Sequence, residues 1–108
     1  MIATVNSQAN QINHADLVLA QGRLVVSGNL DFANAPKVLE KSLQLMPQCV
    51  SLHFDFSQLS SANSVVLALI IEWVKYAGQM GKSIRFEHLS EKIISIAKAA
   101  GVEKMLVH

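Results

Sequence analysis

The sequence has little of what marks a secreted, disulfide-bonded or membrane-spanning protein. Its 108 residues include one cysteine and two prolines. The single cysteine, Cys49, cannot form an internal disulfide, and a free cysteine is typically a small buried side chain. The longest uncharged apolar run, residues 65–71, is far shorter than the roughly 20 residues that a membrane-spanning helix needs. The first residues lack a basic segment followed by an apolar run, so the sequence predicts a cytoplasmic protein without a signal peptide.

Charge and catalytic motifs are also scarce. The net charge is +1 and no Lys/Arg stripe is present, so nucleic acid is not an expected partner. The chain has no Gly-rich phosphate loop, no Gly-x-Ser-x-Gly motif and no Cys-x-x-Cys pair, and its four histidines lack metal-ligand spacing. His53 and Asp55 share a strand face, which fits a solvated sheet surface better than an acid–base pair. The sequence therefore predicts no enzyme activity, no cofactor and no metal site.

Length and hydrophobic content predict one folded domain. Hydrophobic residues make up 51% of the chain, which favours a packed globule over a disordered chain. A chain of 108 residues fits one domain with one modest core. Because the first residues are mostly polar, we predict a loosely ordered lead-in over residues 1–15 and a single domain over residues 16–108.

The order of strand and helix patterns is β-β-α-β-α-β-α. Strands are predicted over residues 17–20, 23–27, 50–56 and 83–88, and the glycine between the first two fits a hairpin turn. The three helices are predicted from capping residues at their starts and from proline or glycine at their ends. The first helix is bounded by Asn34 and Pro47, the second by Asn63 or Ser61 and by Gly81, and the third by Ser90 and Gly101.

Alternation along two strands indicates how the elements pack. Ser51, His53 and Asp55 share one strand face, and Arg85 and Glu87 share another. Strands that are buried on both faces would read as continuous apolar runs instead. The sequence therefore predicts an α/β fold with a single mixed β-sheet of about four strands and with helices packed mainly on one face.

The second predicted helix has more apolar residues than one core-facing stripe uses. The stripe at helical spacing consists of Val66, Leu69, Ile70, Trp73 and Ala77. Four more apolar residues lie on its flanks, and exposed contiguous apolar surface often marks a partner site. We expect Val65 and Leu67, at the helix start, to be exposed. For Ile71 and Val74, the sequence fits exposure and coverage by the neighbouring helices equally well.

Residues 55–67, Asp-Phe-Ser-Gln-Leu-Ser-Ser-Ala-Asn-Ser-Val-Val-Leu, resemble the central motif of the STAS family (sulfate transporter and anti-sigma factor antagonist domains). That motif shows Asp-aliphatic-Ser, a hydrophobic link, and then Asp-Ser/Thr-Ser/Gly-Gly opening a helix. The resemblance covers about residues 17–106 and implies the STAS fold. It looks closest to the MlaB-type subunit of the Mla phospholipid-transport ABC complex. Residues 27–31 are similar to that subunit's Ser-Gly-Glu-Leu-Asp, and residues 55–60 are similar to its Asp-Leu-Ser-Arg-Val-Ser.

The opening of the helix departs from the family motif at two positions. In anti-sigma antagonists the phosphorylated Ser or Thr occupies the third place of the tetrad, where this chain has Val65, and valine has no hydroxyl. Ser64 falls on the Thr of the Mla subunits and is the candidate phosphorylation site, but it faces about 100° away from the next residue on a helix. Asn63 replaces the usual Asp, which keeps a capping oxygen and loses the charge that favours a helix N-terminus.

The resemblance implies a non-catalytic accessory subunit that binds and regulates or stabilises the cytoplasmic ATPase of an Mla-type phospholipid ABC transporter. Such a transporter maintains outer-membrane lipid asymmetry, and the subunit would be peripheral at the inner membrane. The alternative is an anti-sigma factor antagonist that binds an anti-sigma kinase. In both cases we expect the partner to bind the start of the second helix and the loop after the second strand, namely Asn63, Ser64, Val65, Leu67, Leu30, Asp31 and Phe32.

Overall fold

Four strands and three helices follow one another in the predicted order. The computed structural model describes residues 14–107. The strands are β1 (Ala15–Ala20), β2 (Arg23–Gly28), β3 (Leu52–Leu59) and β4 (Ile84–Glu87), and the helices are α1 (Ala35–Leu45), α2 (Ser64–Met80) and α3 (Glu91–Ala99). Short 3-10 helices follow α1 and α3 at Met46–Gln48 and Glu103–Leu106. Residues 1–13 of the predicted lead-in lie outside the described residues. Its last residue, Ala15, belongs to β1, so the domain begins earlier than predicted.

The strands form one mixed sheet in the order β1-β2-β3-β4. The β1–β2 pair is antiparallel and joined by a two-residue turn, in which Gln21 and Gly22 both have positive φ, at 54° and 77°. Positive φ at both central residues is what a type I′ hairpin turn requires. The β2–β3 and β3–β4 pairs are parallel, so α1 and α2 serve as their crossover connections. The predicted four-stranded mixed sheet is confirmed.

The core lies between one face of the sheet and the helices. Trp73 of α2 is fully buried and stacks on Phe54 of β3, with ring centroids 4.3 Å apart. The sheet residues of this core are those that alternate inward along each strand, as their period of two requires. They are Leu17, Leu24, Val26, Leu52, Phe54, Phe56 and Ile84.

The opposite face of the sheet reaches solvent and is polar along β3 and β4. His53 pairs with Arg85 across β3 and β4, and Asp55 pairs with Glu87 one step further along. Arg23 extends the row from β2, with its Nε atom 2.9 Å from Oε1 of Glu87. The predicted arrangement, with helices on one face and a largely wet second face, therefore holds for the described residues.

The segment between α1 and β3 differs from the prediction. The sequence predicts the third strand over residues 50–56, but the strand covers Leu52–Leu59, and Val50 is 95% exposed. The reason is that the 3-10 helix Met46–Gln48 contains Pro47 and delays the return of the chain to the sheet. The first backbone bond into the sheet runs from Leu52 N to the Ser83 carbonyl, at 2.9 Å. Cys49, in the intervening turn, is buried as predicted.

Candidate functional site

The two segments predicted to bind a partner lie side by side at the end of the sheet where β2 and β3 finish. The loop 29–34 follows β2 and the start of α2 follows β3, and these parallel strands are paired up to Gly28 and Leu59. Beyond the last pair, Ser60 N donates to the Gly28 carbonyl at 2.8 Å. Parallel pairing therefore brings together residues that are about 30 positions apart in the chain.

Side chains in front of α2 hold the loop in place. The hydroxyl of Ser61 accepts a hydrogen bond from Leu30 N at 2.9 Å, and Nδ2 of Asn63 donates to the Leu30 carbonyl at 3.0 Å. Both backbone polar groups of Leu30 are thus satisfied by side chains, as a buried residue in a loop needs. The sequence did not indicate this role for Ser61 or Asn63, because the contacts exist only after the two strands pair.

Asn63 is also the capping residue of α2. Its Oδ1 atom accepts hydrogen bonds from Val65 N at 3.0 Å and from Val66 N at 3.2 Å. An aspartate could make these two bonds, but its carboxylate could not donate to the carbonyl of Leu30. The change from Asp to Asn therefore removes a charge at the helix start and adds a donor that fastens the loop 29–34.

Asn34 lies at the predicted start of α1, but its side chain does not cap the helix. Instead Asn34 and Asp31 exchange two hydrogen bonds, from Asp31 N to Asn34 Oδ1 at 2.9 Å and from Asn34 N to Asp31 Oδ1 at 2.8 Å. The prediction of a side-chain cap is wrong because the oxygen of Asn34 is used by the loop. Phe32, inside this closed turn, is 83% exposed.

The burial of the predicted contact residues differs from the expectation. Ser64 and Phe32 are exposed, and Asn63 and Asp31 are partly buried. Val65 and Leu67 were expected to be exposed but retain only 7% and 5% of their accessible surface, and Leu30 is buried as well. The expectation is wrong because α2 packs against both α1 and α3, so its flanks are covered as well as its core stripe. Ile71 and Val74 are partly buried.

A mostly apolar groove lies between the start of α2 and the start of α1, with a volume of about 280 Å³. Ser64 and Val65 contribute one wall, and Phe32 stands at its edge. The α1 side was not predicted from the sequence, since only the tertiary packing places that helix against the first turn of α2. The residues that line the groove are Phe32, Ala35, Pro36, Leu39, Ser64, Val65, Ala68, Leu69 and Glu72.

His53 and Asp55 on the outer sheet face make separate contacts and are not hydrogen-bonded to each other. Nε2 of His53 lies 3.3 Å from Ser51 Oγ, whereas Oδ1 of Asp55 accepts from Ser57 N at 2.9 Å. The Ser57 N–H lowers the pKa of Asp55, and the Arg23 guanidinium lowers the pKa of Glu87. Both shifts favour charged carboxylates, which do not act as general acids at neutral pH.

Metal-ligating side chains are not clustered in the part of the chain that the structure describes. Within residues 14–107, no three side chains of His, Cys, Asp or Glu come close enough together to hold a metal ion. His14, His53 and His88 are therefore not parts of a metal centre formed by the described residues. None of the helices in this range combines the length and the apolar character needed to cross a bilayer.

Comparison with known proteins identifies the family. The family model described as "Mlab, STAS domain" matches residues 13–108. Since this match covers most of the chain, the protein belongs to the STAS domain family, as the motif in residues 55–67 predicted. The closer assignment to the MlaB-type subunit stays a prediction.

Two relatives with names are similar to this chain. The anti-sigma-B factor antagonist of Bacillus subtilis (strain 168) is 26% identical over 81 residues, which is 75% of this chain and 74% of that protein. The solved structure of the anti-sigma factor antagonist SpoIIAA in its unphosphorylated form has a TM-score of 0.65 at 14% identity and covers 85% of this chain and 84% of its own. At that identity the structural likeness concerns the fold, and it confirms the predicted STAS architecture.

Proposed function

We propose that this protein is a non-enzymatic STAS domain that binds a protein partner through the first turn of α2, the loop 29–34 and the groove beside them. The observation that carries the proposal is the exposed ring of Phe32 beside the exposed Ser64 at the edge of an apolar groove. Two hydrogen bonds hold the loop in position in the free protein, one from Leu30 N to the Ser61 hydroxyl and one from Asn63 Nδ2 to the Leu30 carbonyl. Pre-organisation of this kind lowers the entropy that is lost on binding.

The first candidate partner is the cytoplasmic ATPase of an Mla-type phospholipid transporter, in which this chain would be a peripheral regulatory or stabilising subunit. The description of the matching family model supports it. The first turn of α2 supports it as well, because Val65 has no hydroxyl to phosphorylate and its side chain is buried. Asn63, Ser64 and Phe32 would then contact the ATPase, with Val65 as part of the groove wall.

The second candidate partner is an anti-sigma factor with kinase activity. The anti-sigma-B factor antagonist of Bacillus subtilis is similar to this chain in sequence, and this relative supports the second candidate better than the first. A phosphorylation switch here would have to use Ser64, which is exposed at the first position of α2. A phosphate there would be favoured by the helix N-terminus and would add about two negative charges to the contact surface.

Ser64→Arg tests the proposed interface. The substitution places a long cationic side chain at the groove and at the positive end of α2, where an unpaired charge desolvated by a partner costs about 3–5 kcal/mol. At about 1.4 kcal/mol per decade, affinity should fall by more than about a hundredfold. Because Ser64 is exposed, the melting temperature of the isolated domain should barely change. Ser95→Arg on the exposed surface of α3 is the matched control.

Binding is measured separately for a purified Mla-type ATPase and for a purified anti-sigma kinase. Loss of ATPase binding in Ser64→Arg, but not in Ser95→Arg, supports the first candidate. Binding to the kinase together with phosphate on Ser64 supports the second. Undiminished binding of Ser64→Arg to its partner contradicts the interface, and turnover of ATP by this chain alone contradicts a non-enzymatic role.

A further inference from the structure

A second cavity lies at the other end of α2 and has no part in the proposed docking surface. Its volume is about 570 Å³, and it extends from the final turns of α2 around the beginnings of β3 and β4 to the outer face of the sheet, where His53 and Arg85 line it. Gly78, which lines it, follows Ser64 by 14 positions on the same helix. At a rise of 1.5 Å per residue the two sites are therefore about 20 Å apart.

The polar side of this cavity presents hydrogen-bond donors. His53 and Arg85 are direct neighbours across β3 and β4, and Ser51 Oγ lies 3.3 Å from the ring of His53. Arg85 is exposed and makes no ion pair with any residue in the range 14–107. A second hydroxyl comes from Ser83. An unpaired guanidinium beside two hydroxyls and an imidazole is suited to an oxyanion.

The carboxylates near these donors have other partners. None of the described Asp or Glu residues lines the cavity. Glu87, two residues beyond Arg85, forms its ion pair with Arg23 at 2.9 Å. Asp55, two residues beyond His53, accepts from Ser57 N at 2.9 Å. The guanidinium of Arg85 is therefore not neutralised by either of them.

Lys82 has a different role at the same end of the fold. Its ammonium group donates to the carbonyls of Met46, Pro47 and Cys49, at 2.9, 3.1 and 2.5 Å. These three bonds use all three protons of the ammonium group, so Lys82 adds positive charge to the cavity without a free donor. Arg85 is therefore the cation that can contact a ligand directly.

The other side of the cavity is apolar and contains a glycine in the last turn of α2. Leu52, Val74 and Ala77 line it, together with Gly78. A Cβ atom at Gly78 would meet no heavy atom within 4 Å, so neighbouring side chains do not require glycine there. Glycine inside a helix is less favourable than alanine. Its effect at this position is to widen the cavity next to the helix backbone.

We propose that this cavity binds a small phosphomonoester that carries a short apolar group. Arg85 would hold two phosphate oxygens, and the hydroxyls of Ser51 and Ser83 would donate to the remaining one, while Nε2 of His53 donates to Ser51 Oγ and orients that hydroxyl. The apolar group would lie against Val74 and the open surface at Gly78. Such a ligand could be a soluble metabolite or the headgroup of an anionic lipid such as phosphatidic acid, since both present the same terminal phosphate.

Amide chemical shifts of the whole chain are followed during titration with hexyl phosphate, inorganic phosphate, hexanol and vesicles that contain phosphatidic acid. We expect saturable shifts at Ser51, His53, Gly78 and Arg85 with hexyl phosphate and weaker ones with inorganic phosphate. Arg85→Gln should weaken hexyl phosphate binding by about tenfold or more, because it removes a charged bidentate contact. Lys92→Gln, an exposed cation on α3, is the control and should bind as the wild type does.

Gly78→Ala separates the apolar contact from the anion contact. It should weaken hexyl phosphate and leave inorganic phosphate unchanged, while raising the thermal stability of the domain. Shifts with vesicles but not with hexyl phosphate assign the phosphate to a lipid headgroup, and the reverse assigns it to a soluble ligand. The proposal is overturned if no phosphate probe shifts these residues, if Arg85→Gln binds normally, or if Lys92→Gln loses as much affinity as Arg85→Gln. Hexanol binding equal to that of hexyl phosphate also overturns it.

Discussion

The indole nitrogen of Trp73 donates a hydrogen bond to the hydroxyl of Ser42 over 2.8 Å, and both side chains are fully buried. The Ser42 hydroxyl in turn donates to the Leu39 carbonyl at 2.6 Å. This chain of bonds joins α2 to α1 and satisfies the polar groups that the core encloses. It also fixes the relative position of the two helices that line the groove.

Ser42→Ala should therefore destabilise the domain by about 1–3 kcal/mol, because it leaves the buried indole N–H without an acceptor. Urea unfolding followed by far-UV circular dichroism, which does not depend on Trp73, measures this free energy, with Ser95→Ala on the exposed side of α3 as the control. In the double variant Ser42→Ala/Trp73→Phe, the serine change should cost clearly less than it does alone. Equal costs in the two backgrounds would mean that the hydrogen bond contributes little.

Asn63→Ala should destabilise the domain by about 1–2 kcal/mol, because it removes the cap of α2. The same change removes the donor to the Leu30 carbonyl, so the Leu30 amide should exchange faster with solvent. Asn63→Asp keeps the capping oxygen and should give an intermediate stability while still loosening the loop. Hydrogen exchange at Leu30 that matches the wild type in Asn63→Asp would contradict the fastening role of the amide.

Gly28→Ala, at the last residue of β2, should be strongly destabilising. Gly28 has a φ of +84°, and a Cβ there would overlap the carbonyl oxygen of His14, which accepts a bond from Asn29 N at 2.8 Å. Gly22 has a similar φ of +77°, but a Cβ added there would meet no heavy atom within 4 Å. Gly22→Ala therefore isolates the backbone cost, about 1–2 kcal/mol. Thermal melting of both variants should show the larger loss for Gly28→Ala.

Stability should decrease in acid. Lys41 lowers the pKa of Asp16, the Ser57 amide lowers that of Asp55, and Arg23 lowers that of Glu87. A carboxyl whose pKa is lower in the folded state binds protons more readily when the chain is unfolded. Its stabilising effect is thus present above its ordinary pKa, 3.8 for aspartate, and is lost as pH falls through the lower folded value.

Urea unfolding from neutral pH down to about pH 3 checks this direction. Asp55→Asn should show a shallower decrease than the wild type, because it removes one of the groups that titrate. High salt should reduce the contributions of Asp16 and Glu87, since their partners are exposed cations. A stability that rises as the pH falls would contradict these assignments.

Much of the fold could be read from the sequence, and the errors have common causes. The order of elements, the hairpin turn and the end of α2 at Gly81 follow from local conformational preferences, and they agree with the structure. The predicted start of β3 lies two residues too early, because the 3-10 helix that contains Pro47 has no periodic signal of its own. The predicted cap of α1 is the right residue, but the side chain of Asn34 bonds to the loop instead.

The sequence by itself determined the family, the single sheet with one wet face, and the loss of the hydroxyl at Val65, since these depend on residue type and on periods of two and 3.6. Only the tertiary structure decided which apolar residues of α2 stay exposed, because α1 and α3 cover the flanks that a helical pattern leaves open. It also decided what the amide at position 63 contacts. Asn63 donates to the Leu30 carbonyl, which is distant in the chain and comes close to Asn63 only when β2 and β3 pair.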